Sequence, residues 1–464
     1  MLKVLLINPS ESLAVYNVSK IKMALSEIPL LSLAVLGGNL LRNNVETEIL
    51  DLSVSEKPND DLINKFNEFK PDIVGITFTT PLFSEAKRIA EKLKELNPKV
   101  ILVCGGVHTS SMPVETLKES LFDIGVVGEG DDTIVEIAQN KPWDMIKGIV
   151  YRKGNEIRVN QPRELIQSLD SLAMPAWNLY DIHKYHSSKL TSRKNPVGAI
   201  ETSRGCVFGC IYCNKSIFGR RFRFKSPERV LTEIEYMLSK GFNEIHVWDD
   251  NFVTNLDRAK KVCKMIIEKK LKFSWCLACG VRVDCVDKEF LELAKKAGCY
   301  AVYFGVETGD AEIMKRIDKG ITLDKARTAF KLAKESNLET VGFFMIGLPG
   351  ETIETMEKTI NFATELDPDY AKVTITVPYP STKLYSYLEE KGLIKNKDWD
   401  KYNFHTPSKV YDHETLDWET LNKYYDLFYK RFYFRPKYLI RRIIKGIKSG
   451  RLIMELYYAM KTWG

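Results

Sequence analysis

Along most of this 464-residue chain, short apolar runs alternate with amphipathic stretches, in two separate series. The later series has strand-like runs at Gly198–Thr202, Glu244–Trp248, Leu271–Leu277, Tyr300–Val306, Glu339–Met345 and Ala371–Val377. Helical patterns fill the gaps: Pro227–Lys240, Leu256–Lys270, Lys288–Lys296, Thr322–Ser336 and Thr352–Glu365. A strand that returns after a helix runs parallel to its predecessor through a right-handed crossover, so this series specifies a parallel sheet. The earlier series runs from Lys3–Pro9 through Glu48–Leu52, Ile73–Phe78 and Lys99–Cys104 to Ile124–Val127. Its helices are expected at Pro29–Arg42, with proline near N1, and at Asp60–Phe69 and Ser84–Leu96. That describes a small doubly wound α/β domain.

Between the first two strands of the later series lies Arg204-Gly-Cys-Val-Phe-Gly-Cys-Ile-Tyr-Cys213. The spacing offers three thiolates, Cys206, Cys210 and Cys213, from one loop. A cubane of four irons and four sulfides takes four ligands, so three protein thiolates leave one iron open. A zinc site would want a fourth Cys or His close by, and residues 214–218 supply none. Gly205 and Gly209 let the backbone wrap closely around a bulky group.

This loop resembles the cluster loop of the radical S-adenosylmethionine (SAM) superfamily, and Tyr212 before the third cysteine fits the same habit. The resemblance implies a 4Fe-4S cluster whose open iron chelates the amino and carboxylate groups of SAM. It also implies reductive cleavage to a 5′-deoxyadenosyl radical, closure of the later series into a partial (βα)6 barrel, and an electron donor such as flavodoxin or ferredoxin. Chemistry in such sheets collects at the carboxyl ends of the strands. By resemblance, Asp249 and Asp250 receive the SAM amino group, although either also reads as an N-cap before Leu256. Arg282 reads as a bidentate partner for the SAM carboxylate or as a surface ion pair. Glu307 resembles the segment near the ribose. Gly347, Pro349 and Gly350 belong to a loop whose backbone lies against adenine in the family, and which also reads as a strand-to-helix turn capped by Thr352. Cys276 and Cys279 form a C-x-x-C, but an unbroken strand would point them to opposite faces, so they are read as buried hydrophobes. No catalytic acid or base is singled out.

In the earlier series the carboxyl-end loops are Asn8-Pro9, Thr77–Thr80 (including Thr79), Gly105-Gly106-Val-His108-Thr109 and Gly128-Glu129-Gly130. No G-x-G-x-x-G follows the first strand, which argues against a dinucleotide. Together these loops resemble the cobalamin-binding domain fused to one large branch of radical SAM enzymes, the class B methyltransferase-like branch. Pro29-Leu-Leu-Ser-Leu and Met174-Pro-Ala-Trp-Asn-Leu179 are shared with it. There is no Asp-x-His-x-x-Gly after the first strand, so cobalamin is expected without a histidine on its lower face. His108 either touches the cofactor's edge or caps a turn. The expected organisation is a Rossmann-like cobalamin-binding domain (1–142), a linker (143–195) with a hairpin near Val150–Val159, the partial barrel (196–385) and a helical basic and aromatic extension (386–464).

The net charge of +7 is concentrated late, with nine Lys/Arg and no acid from Lys430 to Arg451. Lys437, Arg441, Lys445 and Lys448 share one side of a helix, and Ile440, Ile443, Ile444 and Ile447 the other. Three readings compete: contact with an anionic membrane, isoleucines packed on the barrel with the lysines solvated, and nucleic-acid binding, for which no recognition module is present. Nine cysteines and no leader pattern suit a reducing cytoplasm, and no stretch is long and apolar enough to span a membrane. The function expected is methyl transfer from cobalamin to an unactivated carbon of a small or lipid substrate. The alternatives are rearrangement, cyclisation or oxidation without methylation, and a non-catalytic cobalamin-sensing or electron-transfer role.

Overall fold

A computed structural model describes residues 2–10, 27–404, 406, 408–453 and 457. The first sheet contains β1 (Val4–Asn8), β2 (Thr47–Asp51), β3 (Ile73–Thr77), β4 (Ile101–Gly105), β5 (Ile124–Val126), β6 (Ile149–Lys153) and β7 (Glu156–Val159). Their order is β2-β1-β3-β4-β5-β6-β7. The first five are parallel, and the β6–β7 hairpin extends the sheet antiparallel to β5. Leu5 and Ile7 enter one hydrophobic core while Val4 and Leu6 enter another. Both faces of β1 are therefore covered, which is why it reads as an unbroken apolar run.

The second sheet has six parallel strands in order β15-β14-β13-β12-β11-β8. They are β8 (Val197–Ile200), β11 (Glu244–Val247), β12 (Ser274–Arg282), β13 (Cys299–Glu307), β14 (Glu339–Ile346) and β15 (Tyr370–Ile375). A short antiparallel pair, β9 (Ser203–Arg204) and β10 (Arg223–Phe224), clamps the base of the cysteine loop. Strand β12 does not end at Leu277 as its apolar run suggests. It continues to Arg282 across a register shift between Leu277 and Val281, where Gly280 adopts φ +91°. Cys276 is buried as expected, but Cys279 is exposed instead of buried, because it lies in the register shift between Leu277 and Val281 where the regular pleat is interrupted.

Strand β15 is an end of this sheet, and an open edge leaves backbone groups without partners. Helix Trp418–Tyr433 supplies them. The Tyr433 hydroxyl accepts from the Ala371 N–H (3.1 Å) and donates to its carbonyl (2.8 Å); Tyr429 does the same at Val373 (3.3 and 3.0 Å). The aromatic crowding before the basic helix thus serves to seal an edge.

Helix Pro436–Ser449 lies under the amino-terminal ends of the barrel strands, and its polarity reverses one expected packing. Lys445 pairs with Asp369 (2.8 Å), Arg435 with Asp367 (3.0 Å), and Arg441 with Asp367. Arg441 and Lys445 face the barrel while Lys437 and Lys448 stay exposed, and Ile440, Ile443, Ile444 and Ile447 are 45–63% exposed. Barrel carboxylates at the start of β15 attract the guanidinium face, so the isoleucines are left outward. Among the described residues no helix is long and apolar enough to cross a membrane.

Candidate active site and cofactor cradle

The two sheets turn the carboxyl ends of their strands toward a shared cavity of about 310 Å³. From the first domain it is lined by Thr77, Gly105, Gly106, Gly128, Glu129 and Gly130; from the second by Glu201, Arg204, Phe218 and Trp248. Gly105, Gly106, Gly128 and Gly130 leave part of its wall as bare backbone, beside the apolar side chains of Leu36, Val126 and Ile134. Gly106 adopts φ +100° and a Cβ there would meet the Phe78 carbonyl at 2.8 Å, while Gly128 adopts φ +81°. A wall of glycine backbone and apolar side chains admits close approach of a broad, flat ligand, and the residues present fit a corrinoid in that respect.

Of the other positions expected to touch cobalamin, Asn8 donates to Asp51 (2.8 Å), Thr79 is exposed, and Thr109 is fully buried; none lines the cavity. His108 is a clear departure. It is 1% exposed, stacks on Phe83 (4.7 Å between centroids), meets Trp399 edge-on and contacts Thr80 Oγ1 through Nδ1 (3.2 Å). An imidazole amid Phe83 and Trp399 gains more from the apolar core than from the cavity. Burial lowers its pKa to about 4. The unfolded imidazole binds a proton below about 6.5 and the folded one does not, so the associated stability is present above pH 6.5 and drains away as pH falls toward 4. Between pH 7 and 4.5 the wild type is expected to lose about 2–3 kcal/mol more than His108→Phe in urea unfolding.

Glu129 is also more than a lining residue. Its carboxylate accepts from Arg204 Nη1 (2.8 Å), Arg223 Nη1 (2.8 and 3.0 Å) and the Ile166 N–H (2.8 Å). Arg204 also reaches Asp131 (2.9 Å) and, through Nε, Glu201 (2.8 Å). Burial opposes the guanidinium charge, but Glu201 and Asp131 more than offset this and hold Arg204 firmly ionised. Arg204 immediately precedes the cysteine loop, so a buried ion cluster joins the first domain to that loop. Sequence reasoning overlooked Arg204, Glu201 and Arg223; an arginine beside the first loop glycine was the available signal.

Within the loop, a Cβ at Gly205 would collide with the Arg221 carbonyl, and one at Gly209 with the Asp318 carboxylate. The glycines therefore set the loop's path. Burial raises the Cys213 thiol pKa; Lys215 opposes this, and Cys210 and Cys206 add to it. Among the described residues no trio of His, Cys, Asp or Glu converges on a single-ion site. Cys213 interacts with both other thiols and with the Asp250 carboxylate, and three cysteine thiols on one loop form a donor set suited to an iron–sulfur cluster.

The residues expected around SAM divide into two groups. Tyr212, Glu307 and Asp250 gather beside the cysteine loop. Glu307, at φ +74° on the end of β13, pairs with Lys319 (2.6 Å), whose ammonium lies 3.4 Å from the Tyr212 hydroxyl. Asp250 is exposed and accepts from the Gly205 N–H (2.8 Å). The remaining residues are already engaged. Asp249 is buried and accepts from the Thr202 N–H (2.6 Å), the Thr202 hydroxyl (2.5 Å) and the Ser203 hydroxyl (2.6 Å), so it anchors the chain leading into the loop instead of presenting a free carboxylate. Arg282 holds Asp284 bidentately (both 3.0 Å) with the Phe208 ring 3.4 Å from its guanidinium carbon, and its fork is thereby occupied. The Gly347 carbonyl accepts from the Tyr411 hydroxyl (2.9 Å) and the Leu348 carbonyl bonds His413 (2.8 Å), so Gly347 and Leu348 lie beneath the C-terminal extension, Pro349 is buried, and Gly350 lies against Arg316. Thr352 caps helix Ile353–Leu366 through a capping box, as one reading of the turn requires.

Residues 200–363 match the Radical SAM superfamily and residues 21–138 the B12 binding domain. An uncharacterized methyltransferase of Pyrococcus horikoshii is 35% identical over 442 residues, covering 93% of this chain and 94% of that one. The anaerobic magnesium-protoporphyrin IX monomethyl ester cyclase of Rubrivivax gelatinosus is 29% identical, over 87% of this chain and 73% of its own. The cobalamin-dependent SAM radical enzyme OxsB, solved with aqua-cobalamin and SAM bound, shares the fold at TM-score 0.76 and 18% identity, covering all of this chain and 72% of that one. Two matched domains, meeting across a glycine-lined cavity and a three-cysteine loop, make this chain a member of the radical SAM superfamily that carries a B12 binding domain and uses a 4Fe-4S cluster, SAM and cobalamin.

Proposed function

We propose that this enzyme transfers a methyl group to an unactivated carbon of its substrate. The observation that carries this reading is the shared cavity: the glycine wall of the first domain and the residues leading into the cysteine loop line one space. A methyl carrier held there faces the chemistry of the barrel directly. The name of the Pyrococcus horikoshii relative agrees. When bound, the cluster delivers the electron that splits SAM, and cobalamin carries the methyl group.

In this proposal Cys206, Cys210 and Cys213 ligate the cluster. Asp250, Tyr212 and the Glu307–Lys319 ion pair border SAM at the rim. Thr77, Gly105, Gly106, Gly128 and Gly130 border the corrinoid. No histidine is among the described residues that line the cavity. A flavodoxin or ferredoxin supplies electrons. The six cysteines outside the loop are free thiols, which supports a reducing, cytoplasmic setting. The exposed isoleucine face of helix Pro436–Ser449 is assigned to peripheral contact with the inner membrane surface.

Anaerobic reconstitution followed by product mass analysis tests the reaction. Gain of one methylene with S-adenosylhomocysteine formation is expected. A product of unchanged or lower mass with deoxyadenosine alone would overturn methyl transfer and favour cyclisation or oxidation, the reading the Rubrivivax gelatinosus relative's name supports.

A further inference from the structure

The barrel interior is open, and its lining alternates with the strand pleat. On β15, Ala371, Val373 and Ile375 are buried outward against the helices, while Tyr370 and Thr374 are half-buried inward and Lys372 is exposed. On β14, Phe344 packs outward on Phe428, so Phe343 and Met345 face in. Tyr303 of β13 meets Phe343 edge-to-face at 5.8 Å. This part of the lumen wall thus presents the rings of Phe343 and Tyr303, the Met345 side chain and Lys372.

That lysine lacks what other cations of the same domain have. Lys319 holds Glu307 at 2.6 Å, Arg282 holds Asp284 at 3.0 Å and Lys225 holds Glu233 at 2.8 Å. No carboxylate among the described residues comes within ion-pair reach of Lys372. Its nearest recorded contact is the Phe343 ring, 6.0 Å away, at the outer limit of a cation–π interaction. We propose that Lys372 is the substrate's anion-binding residue, and that the substrate is a small molecule joining a carboxylate or phosphate to an apolar portion that packs on Phe343, Tyr303 and Met345. This rests on the methyl-transfer reading and narrows its substrate class.

Two further observations agree. Lys372 stands three residues before the end of β15, roughly 10 Å below the rim at about 3.3 Å per residue. An anion held there directs the remainder of a small molecule upward, toward the cysteine loop and the Glu307–Lys319 pair. Burial lowers the Lys372 pKa although water reaches the side chain, as expected of a cation walled in without a counter-charge. A ligand anion would supply that missing charge through a charge-assisted hydrogen bond.

The first test needs no turnover. The full-length chain is treated with trinitrobenzenesulfonate at pH 8 and labelled lysines are located by peptide mass spectrometry. Phenylphosphate and phenylacetate serve as competitors, and benzyl alcohol as the neutral control. Lys372 is open to water and should label, with the exposed Lys437 of the C-terminal helix as the surface reference. Either anion should slow Lys372 at least about fivefold without changing Lys437, since a charge-assisted contact is worth that much. The more protective anion identifies phosphate or carboxylate as the head group. Protection by benzyl alcohol alone, or none by either anion, overturns the proposal. The second test supplies the reconstituted holoenzyme with SAM carrying a trideuterated methyl group and with anionic or neutral metabolite fractions. Labelled product should come from the anionic fraction. Lys372→Gln should raise KM for it about tenfold or more, and Lys372→Arg should recover most of the loss. Labelled product from the neutral fraction only would overturn the anion class while leaving methyl transfer standing. Labelled product from neither fraction, with anion protection intact, would sink methyl transfer and retain the anion site.

Discussion

Cys213→Ala should abolish deoxyadenosine formation from SAM under reducing conditions, a loss of at least about 10³-fold. The cubane needs four ligands, and the protein contributes three thiolates so that one iron stays free for SAM. With two thiolates the cluster is either lost or left with two open irons, and neither state presents a single defined site to a chelating substrate. Iron and sulfide content and the brown absorbance near about 400 nm should fall together with the activity. The lesion should remain local. The cysteine loop is clamped at its base by Ser203–Arg204 and Arg223–Phe224, and the glycine wall belongs to a different sheet. Cobalamin retention should therefore persist in the variant. Cluster loading should also depend on pH. Burial raises the Cys213 thiol pKa, so cluster binding must release its proton, and loading improves as pH rises. Turnover that survived Cys213→Ala would remove this residue from the ligand set.

Much of this architecture is written in local pattern. Parallel strands buried on both faces carry continuous apolar runs, and all six barrel strands and the first five of the doubly wound sheet are read directly from them. The cysteine spacing and the glycine loops are legible because they depend on residue type at short separation. Pairing over long distances is not. Nothing near Glu307 in sequence announces Lys319, and nothing near Glu129 announces Arg204, 75 residues later. Asp249 and Arg282 have the residue types a SAM site wants, yet each is already occupied by a hydrogen-bonding partner that only the fold brings close. The C-terminal helix shows the same limit. Its amphipathicity is evident from sequence, but which face meets the barrel is decided by Asp367 and Asp369, which lie on another element. His108 was ambiguous for a related reason: an imidazole after a strand suits a cofactor edge and an aromatic core equally well until Phe83 and Trp399 are placed beside it.

Arg204→Met should destabilise the protein by about 3–5 kcal/mol, the cost of stripping one partner from a buried ion pair. Arg204 is 5% exposed, and its loss would leave Glu201, Asp131 and part of the Glu129 carboxylate facing one another without water. Arg223 compensates only Glu129. Lysine is a poor substitute, because one ammonium cannot place separate donors on Glu201 and on the Glu129–Asp131 pair. Arg204→Lys should therefore recover less than half of the loss. The charge origin of the effect is separable from packing. Adding Glu129→Gln and Asp131→Asn to Arg204→Met removes the uncompensated acids, and the triple variant should be more stable than Arg204→Met alone, a coupling visible in denaturant unfolding. Function should follow the same order. Arg204, Glu201, Glu129 and Asp131 all border the cavity, and Arg204 is the last residue before the cysteine loop turns. Releasing them should weaken cobalamin retention about tenfold or more and lower cluster occupancy in the same preparation. If Arg204→Met unfolded like the wild type and kept both cofactors, the buried ions would be incidental to how the two domains are joined.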